Sequence, residues 1–400
     1  MPLTNSFMRY GGVTKMFHWL TALLILTAIP LGVIANGLPY ETQDQFQQKA
    51  MLFSLHKTVG VLAFLIGLAR IVWATVQVKP GLLNADKPVE SFLAELVHWL
   101  LYGSLVIVPL SGWLHHAATT GFAPLLLPFG DTLPGIPKDP DLAHIFGQIH
   151  YVVTKVLFAS VALHVAGALK HHFIDRDDTL RRMWPGAGDT VGTPRRRDGW
   201  TPLAAAVVVH MVALSMGMVL GLRSDASSPA IDLTETVSGW KVQDGTVSIS
   251  VQQLGSTVTG AFGEWTAAIE FSEAPTEGRH GSLEAVIAVS SLTLGSITNQ
   301  ALSADFLDAS THPVAVFSAD LLPRDADGAY LADGALSLKG VEVPVQLPFT
   351  LRIEGDTATA SGAAVLRRLD FGIGSAYPDA STLGLDVAVE VALTATRATN

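Results

Sequence analysis

Residues 147–170 read GQIHYVVTKVLFASVALHVAGALK, a nearly unbroken apolar run that holds two histidines, His150 and His164. Imidazole is costly in hydrocarbon unless it has a partner, so a histidine within such a run marks a functional position. Fourteen residues is close to four helical turns, which puts His150 and His164 on one face, about 21 Å apart along the axis. One helix thus presents histidines at two levels of a bilayer, and each level needs a facing histidine from elsewhere.

Working outward, five stretches are long and apolar enough to cross a bilayer core of about 30 Å: roughly 16–36, 52–76, 93–114, 147–170 and 202–222. Val33-Ile34-Ala35 resembles a small-residue cleavage site, but the first stretch is longer than the apolar region of a signal peptide and carries His18. Basic residues set the orientation. With the N-terminus inside, Arg9, Lys15, Arg70, Lys79, Lys87, Lys170, Arg176, Arg181, Arg182 and Arg195 to Arg197 fall on the cytoplasmic side, against Lys49, Lys138 and Arg223 opposite. Five spans then deliver residues 223–400 to the outer face, which in a Gram-negative bacterium is the periplasm.

Charge divides the chain in the same place. Residues 1–222 carry sixteen Lys/Arg and thirteen Asp/Glu, whereas residues 223–400 carry nine and twenty-two. The net charge of −10 therefore belongs to the C-terminal part, and no basic footprint for nucleic acid exists. With no cysteine, disulfides, Cys-based zinc sites and thioether-linked haem are excluded. Neither a P-loop nor a dinucleotide fingerprint is present. Residues 171–201 read as a cytoplasmic linker and 224–230 as a Ser/Ala/Pro tether. From about 231 the pattern turns to period two, as in Val247-Ser-Ile249-Ser-Val251 and Val387-Ala-Val389-Glu-Val391, with turn pairs such as Asp333-Gly334 and Glu354-Gly355. That alternation predicts an antiparallel sandwich or barrel.

The orientation decides which histidines can meet. His18 and His164 fall at the inner level, His56 and His150 at the outer one. Two imidazoles facing across a bundle suit both axial positions of a haem iron, a six-coordinate arrangement that favours electron transfer. Gly60 and Gly167, four and three residues beyond a ligand, would let a macrocycle approach the backbone. The alternative is a set of interhelical hydrogen-bonding histidines without cofactor. His98 reads as structural, His115 and His116 as interfacial, His144 as lying on another face from His150, His210 as a packing residue, and His280 and His312 as surface residues. His171 and His172 end the fourth span, where a lipid headgroup or a quinone ring could be met. Lys57, beside His56, could attract an anion.

Several of these pieces are similar to the bacterial di-haem cytochrome b561 family: Phe17-His18-Trp19-Leu20, Leu55-His56-Lys57, the His150/His164 helix, and His171-His172-Phe173 through Asp177-Asp178-Thr179-Leu180-Arg181-Arg182-Met183. The resemblance covers about residues 8–186. It implies a four-helix membrane bundle with two b haems on His18, His56, His150 and His164, a quinone site at His171, and, as in some members, oxidation of superoxide with ubiquinone as acceptor. Residues 231–400 resemble a YceI-like domain, a lipocalin-like antiparallel barrel that binds polyisoprenoid lipids. The matching pieces include Trp240-Lys-Val242, Ser303-Ala-Asp305-Phe306, Gly334 to Gly340 and Leu369-Asp370-Phe371-Gly372-Ile373-Gly374. The expected molecule is a four-helix haem bundle with a fifth transmembrane helix (202–222, within a connecting segment 187–230), then the barrel, in the bacterial inner membrane. Its partners are the bilayer, the quinone pool and an isoprenoid lipid, with a homodimer compatible with the YceI resemblance. Two other readings stand beside it: a membrane-tethered polyisoprenoid-binding protein without catalysis, and the cytochrome subunit of a larger dehydrogenase or hydrogenase.

Overall fold

The computed structural model describes residues 2–81, 87–119, 121, 123–186, 200–223, 233, 238–324 and 328–398. Residues 187–199 of the linker 171–201, with Arg195 to Arg197, and the tether 224–230 lie outside the described residues. The chain forms two compact units, one of residues 1–38, 50–118 and 124–224, the other of 39–49, 119–123 and 225–400.

The first unit is helical: α1 Gly12–Gly37, α2 Gln43–Thr75 (which continues into it at Ala50), α3 Pro88–Ala118, α4 Pro140–Lys170, a short α5 Thr179–Arg182 and α6 Thr201–Leu222. Five of these helices (α1 to α4, and α6) are long and apolar enough to cross a membrane, and this is a multi-pass membrane protein. Helix α4 outruns its apolar core at the N-terminal end, where cap chemistry and not hydropathy sets its start. In α4 the Asp139 carboxylate accepts the Leu142 N–H at 2.9 Å, and Pro140 occupies the first helical position, where its missing donor costs nothing.

Helices α3, α4 and α6 pack closely on one another. The α4/α6 contact is made by glycine. A Cβ on Gly217 would stand 2.7 Å from Ile149 Cα, and one on Gly221 2.6 Å from Ile145 Cα. This is the small-residue spacing that lets membrane helices meet backbone to backbone. His210 of α6 is buried, donates from Nδ1 to its own helix at Ala206 O (2.9 Å), and accepts the Ser104 hydroxyl of α3 at Nε2 (3.2 Å). The segment after α4 folds back onto α1, where Lys15 Nζ donates to Trp184 O (3.0 Å) and Trp19 Nε1 to Met183 O (2.9 Å).

The second unit is a closed antiparallel barrel. Its strands are β1 Trp240–Gln253, β2 Ser256–Phe262, β3 Trp265–Thr276, β4 Arg279–Ala288, β5 Leu292–Thr293, β6 Val314–Pro323, β7 Ala329–Leu338, β8 Val341–Glu354, β9 Thr357–Arg367 and β10 Leu383–Arg397, with a one-turn helix α7 Thr298–Leu302. The order β3-β4-β6-β7-β8-β9-β10-β1 closes through the Trp240–Ile269 pair, and β2 and β5 extend from β1. Closure removes unpaired sheet edges. The seam pairs Val247 with Val391, Ile249 with Val389 and Val251 with Val387, and all six line the interior.

Candidate functional site

The helical unit brings the four intramembrane histidines together in two pairs. The rings of His18 (α1) and His164 (α4) have centroids 6.1 Å apart, and those of His56 (α2) and His150 (α4) 6.3 Å apart. A metal–imidazole bond is about 2 Å long. Two imidazoles on opposite sides of one ion therefore have their centroids about 6 Å apart, with the rings' own depth included. Both pairs have that separation. Gly60 and Gly167 are half-buried, and a Cβ added to either would meet nothing within 4 Å, so the backbone is open to a flat group at both positions.

The second pair is held by a repeated device. His56 Nδ1 donates to Ala28 O at 2.8 Å, and a Cβ on Gly32, four residues on, would lie 2.8 Å from the His56 ring. His150 Nδ1 donates to Val108 O at 2.9 Å, and a Cβ on Gly112, again four residues on, would lie 2.9 Å from its ring. His115 repeats the pattern, with Nδ1 donating to Ala143 O at 2.7 Å and its ring 3.2 Å from a Cβ on Gly147. In each case the glycine opens the turn above a helix carbonyl to an imidazole from a neighbouring helix. Because the carbonyl can only accept, Nδ1 carries the proton and Nε2 is left as the lone-pair nitrogen. The first pair has no such arrangement at His18, whose buried Nδ1 has no hydrogen-bond partner among the described residues. His98 joins that level, its ring edge-on to His164 with centroids 5.1 Å apart.

Two other groups gather at the ends of these helices. His116 is buried, not interfacial as its sequence position suggests. It donates from Nε2 to Asp131 (2.9 Å) and accepts Lys57 Nζ at Nδ1 (3.3 Å). Burial raises the Asp131 carboxyl, but hydrogen bonds from His116 and Leu125 N outweigh it and hold the group below the usual carboxylate range. Lys57 is therefore tied into a hydrogen-bonded chain. His171, in a π-helical turn after α4, donates from Nδ1 to Asp177 (2.7 Å), with Asp175 3.2 Å away. Burial also raises the Asp177 carboxyl, and the bonds from Thr179 and His171 more than reverse it. His144 lies within α4, and His172 is exposed against Phe173.

In the barrel unit a cavity of about 240 Å³ is lined almost wholly by apolar side chains, among them Trp265, Phe317, Leu336 and Phe371. The Leu369–Gly374 stretch closes part of its wall, with Gly372 and Gly374 at φ 64° and 61°, values that favour glycine. Arg368 beside it is buried, and its guanidinium donates to the carbonyls of Gly384, Ile373, Gly374, Tyr377 and Leu383. Sequence reading gave Arg368 no role, because nothing local distinguishes it from a surface arginine. His280 also departs from expectation: it is buried, stacked on Phe271 at 5.3 Å and 10°, and donates to Ser272 O.

Comparison with known proteins agrees with this division. The family model for prokaryotic cytochrome b561 matches residues 9–186, and that for the YceI-like domain residues 240–395. Cytochrome b561 homolog 2 of Escherichia coli (strain K12) is 32% identical over 184 residues, 46% of this chain and 95% of that protein. Probable superoxide oxidase CybB of Yersinia pestis is 24% identical, over 44% of this chain and 96% of its own length. Among solved structures, Burkholderia cenocepacia BcnA matches with 29% identity and a TM-score of 0.36, over 38% of this chain and 96% of that one. The chain belongs to the prokaryotic cytochrome b561 family, a family that implies haem b, and carries a YceI-like domain fused behind it.

Proposed function

We propose that this protein carries electrons across the bacterial inner membrane between a donor on the outer face and the quinone pool. His18 with His164, and His56 with His150, would hold two b haems. The observation that carries the reading is the ring separation of 6.1 and 6.3 Å in two stacked pairs, each matching an ion held between imidazoles. Bound haem supplies reversible one-electron chemistry, and two imidazoles per iron direct it to electron transfer over oxygen binding. The residues' own work is positional. Ala28 and Val108 carbonyls fix the ring orientation and tautomer of His56 and His150, and Gly60 and Gly167 leave space for the macrocycle beside the backbone.

The excess of basic residues on one set of loops supports a cytoplasmic N-terminus and a periplasmic barrel. By analogy with the superoxide oxidase relative, superoxide is the donor we favour, each molecule giving up one electron to become dioxygen. Ubiquinone, taking two electrons and two protons, is the acceptor. His171 is its proposed contact: Asp177 holds the His171 ring through Nδ1, so Nε2 is the nitrogen turned to other uses. The barrel would hold an isoprenoid lipid in its apolar cavity, and pairing of barrels into a homodimer goes with the YceI resemblance.

The test is the absorption spectrum of the purified full chain. Two b haems per chain are expected, with one lost in His56→Ala and the other in His18→Ala. A colourless protein that co-purifies with an isoprenoid lipid would replace this reading with that of a tethered lipid-binding protein, the alternative that the barrel cavity supports. Stable association with a metal-containing dehydrogenase or hydrogenase subunit would make it a cytochrome subunit instead.

A further inference from the structure

The barrel unit includes a segment that is not barrel sequence: residues 39–49, which run from the end of α1 into the first turns of α2. Gln43, Phe46 and Gln47 recur at spacings of three and four, so they share one helix face. Of the described residues 39–49 only Phe46 is buried, at 2% exposure, and its ring forms part of the wall of the apolar cavity. It packs among Val258, Phe306 and Tyr377, edge-on to the last with centroids 5.9 Å apart. Its polar neighbours bind the rim. Gln43 Nε2 donates to the Asp379 carboxylate at 3.0 and 3.1 Å, and Gln47 Nε2 to Thr382 Oγ1 at 2.7 Å. The Tyr377 hydroxyl donates to Tyr40 O.

The two ends of the barrel are closed by different means. β1 runs from one to the other, from Trp240 to Gln253. Trp240 is buried, donates from Nε1 to Phe271 O at 3.3 Å and lies under the Arg397 guanidinium, 4.7 Å from its ring centroid. It is also a paired sheet residue, so it cannot leave without unzipping strands. At the Gln253 end the cover is Phe46, on a segment held to the rim through side chains and not by strand pairing. Such a segment opens at far lower cost than the sheet beneath it. Gln253, 3% exposed, lines the cavity at this end, and its amide oxygen is buried without a hydrogen-bond partner among the described residues. A buried polar atom left in that state is costly until a ligand group satisfies it. The remaining wall is apolar toward Trp240, so an amphipathic lipid fits with its polar end under Phe46.

We propose that residues 39–49 form a movable lid that completes the barrel's lipid site, with Phe46 as its stopper and the Gln253 amide as the contact for the lipid's polar end. This rests on the reading of the barrel as the holder of an isoprenoid lipid. The lid lifts as Gln43 and Gln47 let go of the rim, the apolar chain passes the position that Phe46 has left, and the ring closes behind it. Gating is thus a property of the fused chain, because the lid comes from the sequence between two membrane spans and not from the barrel's own strands.

The test uses the full-length protein in detergent and a farnesol analogue carrying a diazirine, photolysed at intervals after mixing. Mass spectrometry then follows labelling of cavity-wall peptides, which separates the barrel from the spans. Phe46→Ala removes the stopper and should speed labelling about 10-fold or more. The chain has no cysteine, so Gln43→Cys with Ser381→Cys, whose wild-type side chains meet at 3.1 Å, can be joined cleanly by a short bismaleimide. Joining them should slow labelling about 10-fold or more relative to the same variant unjoined. Either change leaving the rate at its reference value overturns the lid. Gln253→Leu should cut the label at saturation several-fold, and an unchanged level overturns the contact assigned to its amide. If no barrel peptide is labelled in any variant, the lipid reading fails, and the lid is decided separately by maleimide reactivity. A cysteine at buried Phe46 (Phe46→Cys) should then react about 10-fold or more slowly than one at exposed Gln48 (Gln48→Cys), and equal rates overturn the lid.

Discussion

The His98 ring stands edge-on to the ring of His164, with centroids 5.1 Å apart and planes at 84°. That is nearer than the 6.1 Å between His18 and His164, and too close for His98 and His164 to take opposite sides of one ion. His98 is further committed through Nδ1, which donates to Ala94 O at 2.6 Å. The His18/His164 level therefore has three imidazoles and one bracketing pair. His98→Ala should retain both haems in the purified protein, whereas His164→Ala should lose one. Equal haem loss in the two variants would make His98 a ligand.

Gly32 tests the tethering device. Its added Cβ would lie 2.8 Å from the His56 ring, which cannot swing away without breaking its bond to Ala28 O. Gly32→Ala is expected to weaken haem retention at that level by about 10-fold or more, the usual effect of disturbing a ligand's hydrogen-bond partner. Haem dissociation to an apo-haem scavenger measures this. Unchanged retention would mean that the ring orientation does not matter.

Gly217 meets backbone, not a movable side chain, so a substituent there cannot be accommodated by rotamer change. Gly217→Leu should cost about 1–3 kcal/mol, the range for overpacking a close contact. Thermal unfolding of the detergent-solubilised protein reads the change. The same substitution at Gly37, where a Cβ would meet nothing within 4 Å, should have little effect.

Tyr377 is buried in the barrel unit and its phenol is pushed up to about 12 by burial. A raised folded-state value means the neutral phenol is favoured by folding. Its contribution is complete below about pH 10 and is lost as pH rises through about 12. The loss amounts to roughly 2–3 kcal/mol at about 1.36 kcal/mol per unit. Denaturant titrations of the wild type and Tyr377→Phe should differ in pH dependence only within that window. Parallel curves throughout it would show that the phenol does not contribute.

The histidine pairs were legible because two polar rings in one apolar run fix both the helix and the levels, and the orientation rule leaves one pairing. The barrel was legible in the alternation at Val247–Val251 and Val387–Val391, which became the ladder between β1 and β10. The tethers of His56 and His150 were not. Each joins a ring to a carbonyl on another helix, 28 and 42 residues away, and a glycine in an apolar helix gives no local sign of what approaches it. His116 was misjudged for a related reason: its partner, Asp131, comes from another segment. His280 looked like a surface residue in a strand, since stacking on Phe271 depends on strand pairing and not on the residues beside it.

The glycine contact between α6 and α4 has a consequence for how this chain could be rebuilt. An anchor that only needed to be greasy could be exchanged for any hydrophobic segment of equal length. This one is keyed: a leucine-rich replacement would lack the notch that receives Ile145 and Ile149, and it would press on the helix bearing His150 and His164. Grafting the last span from an unrelated membrane protein should therefore disturb the spacing of the two histidine pairs, even though the graft touches none of the four rings.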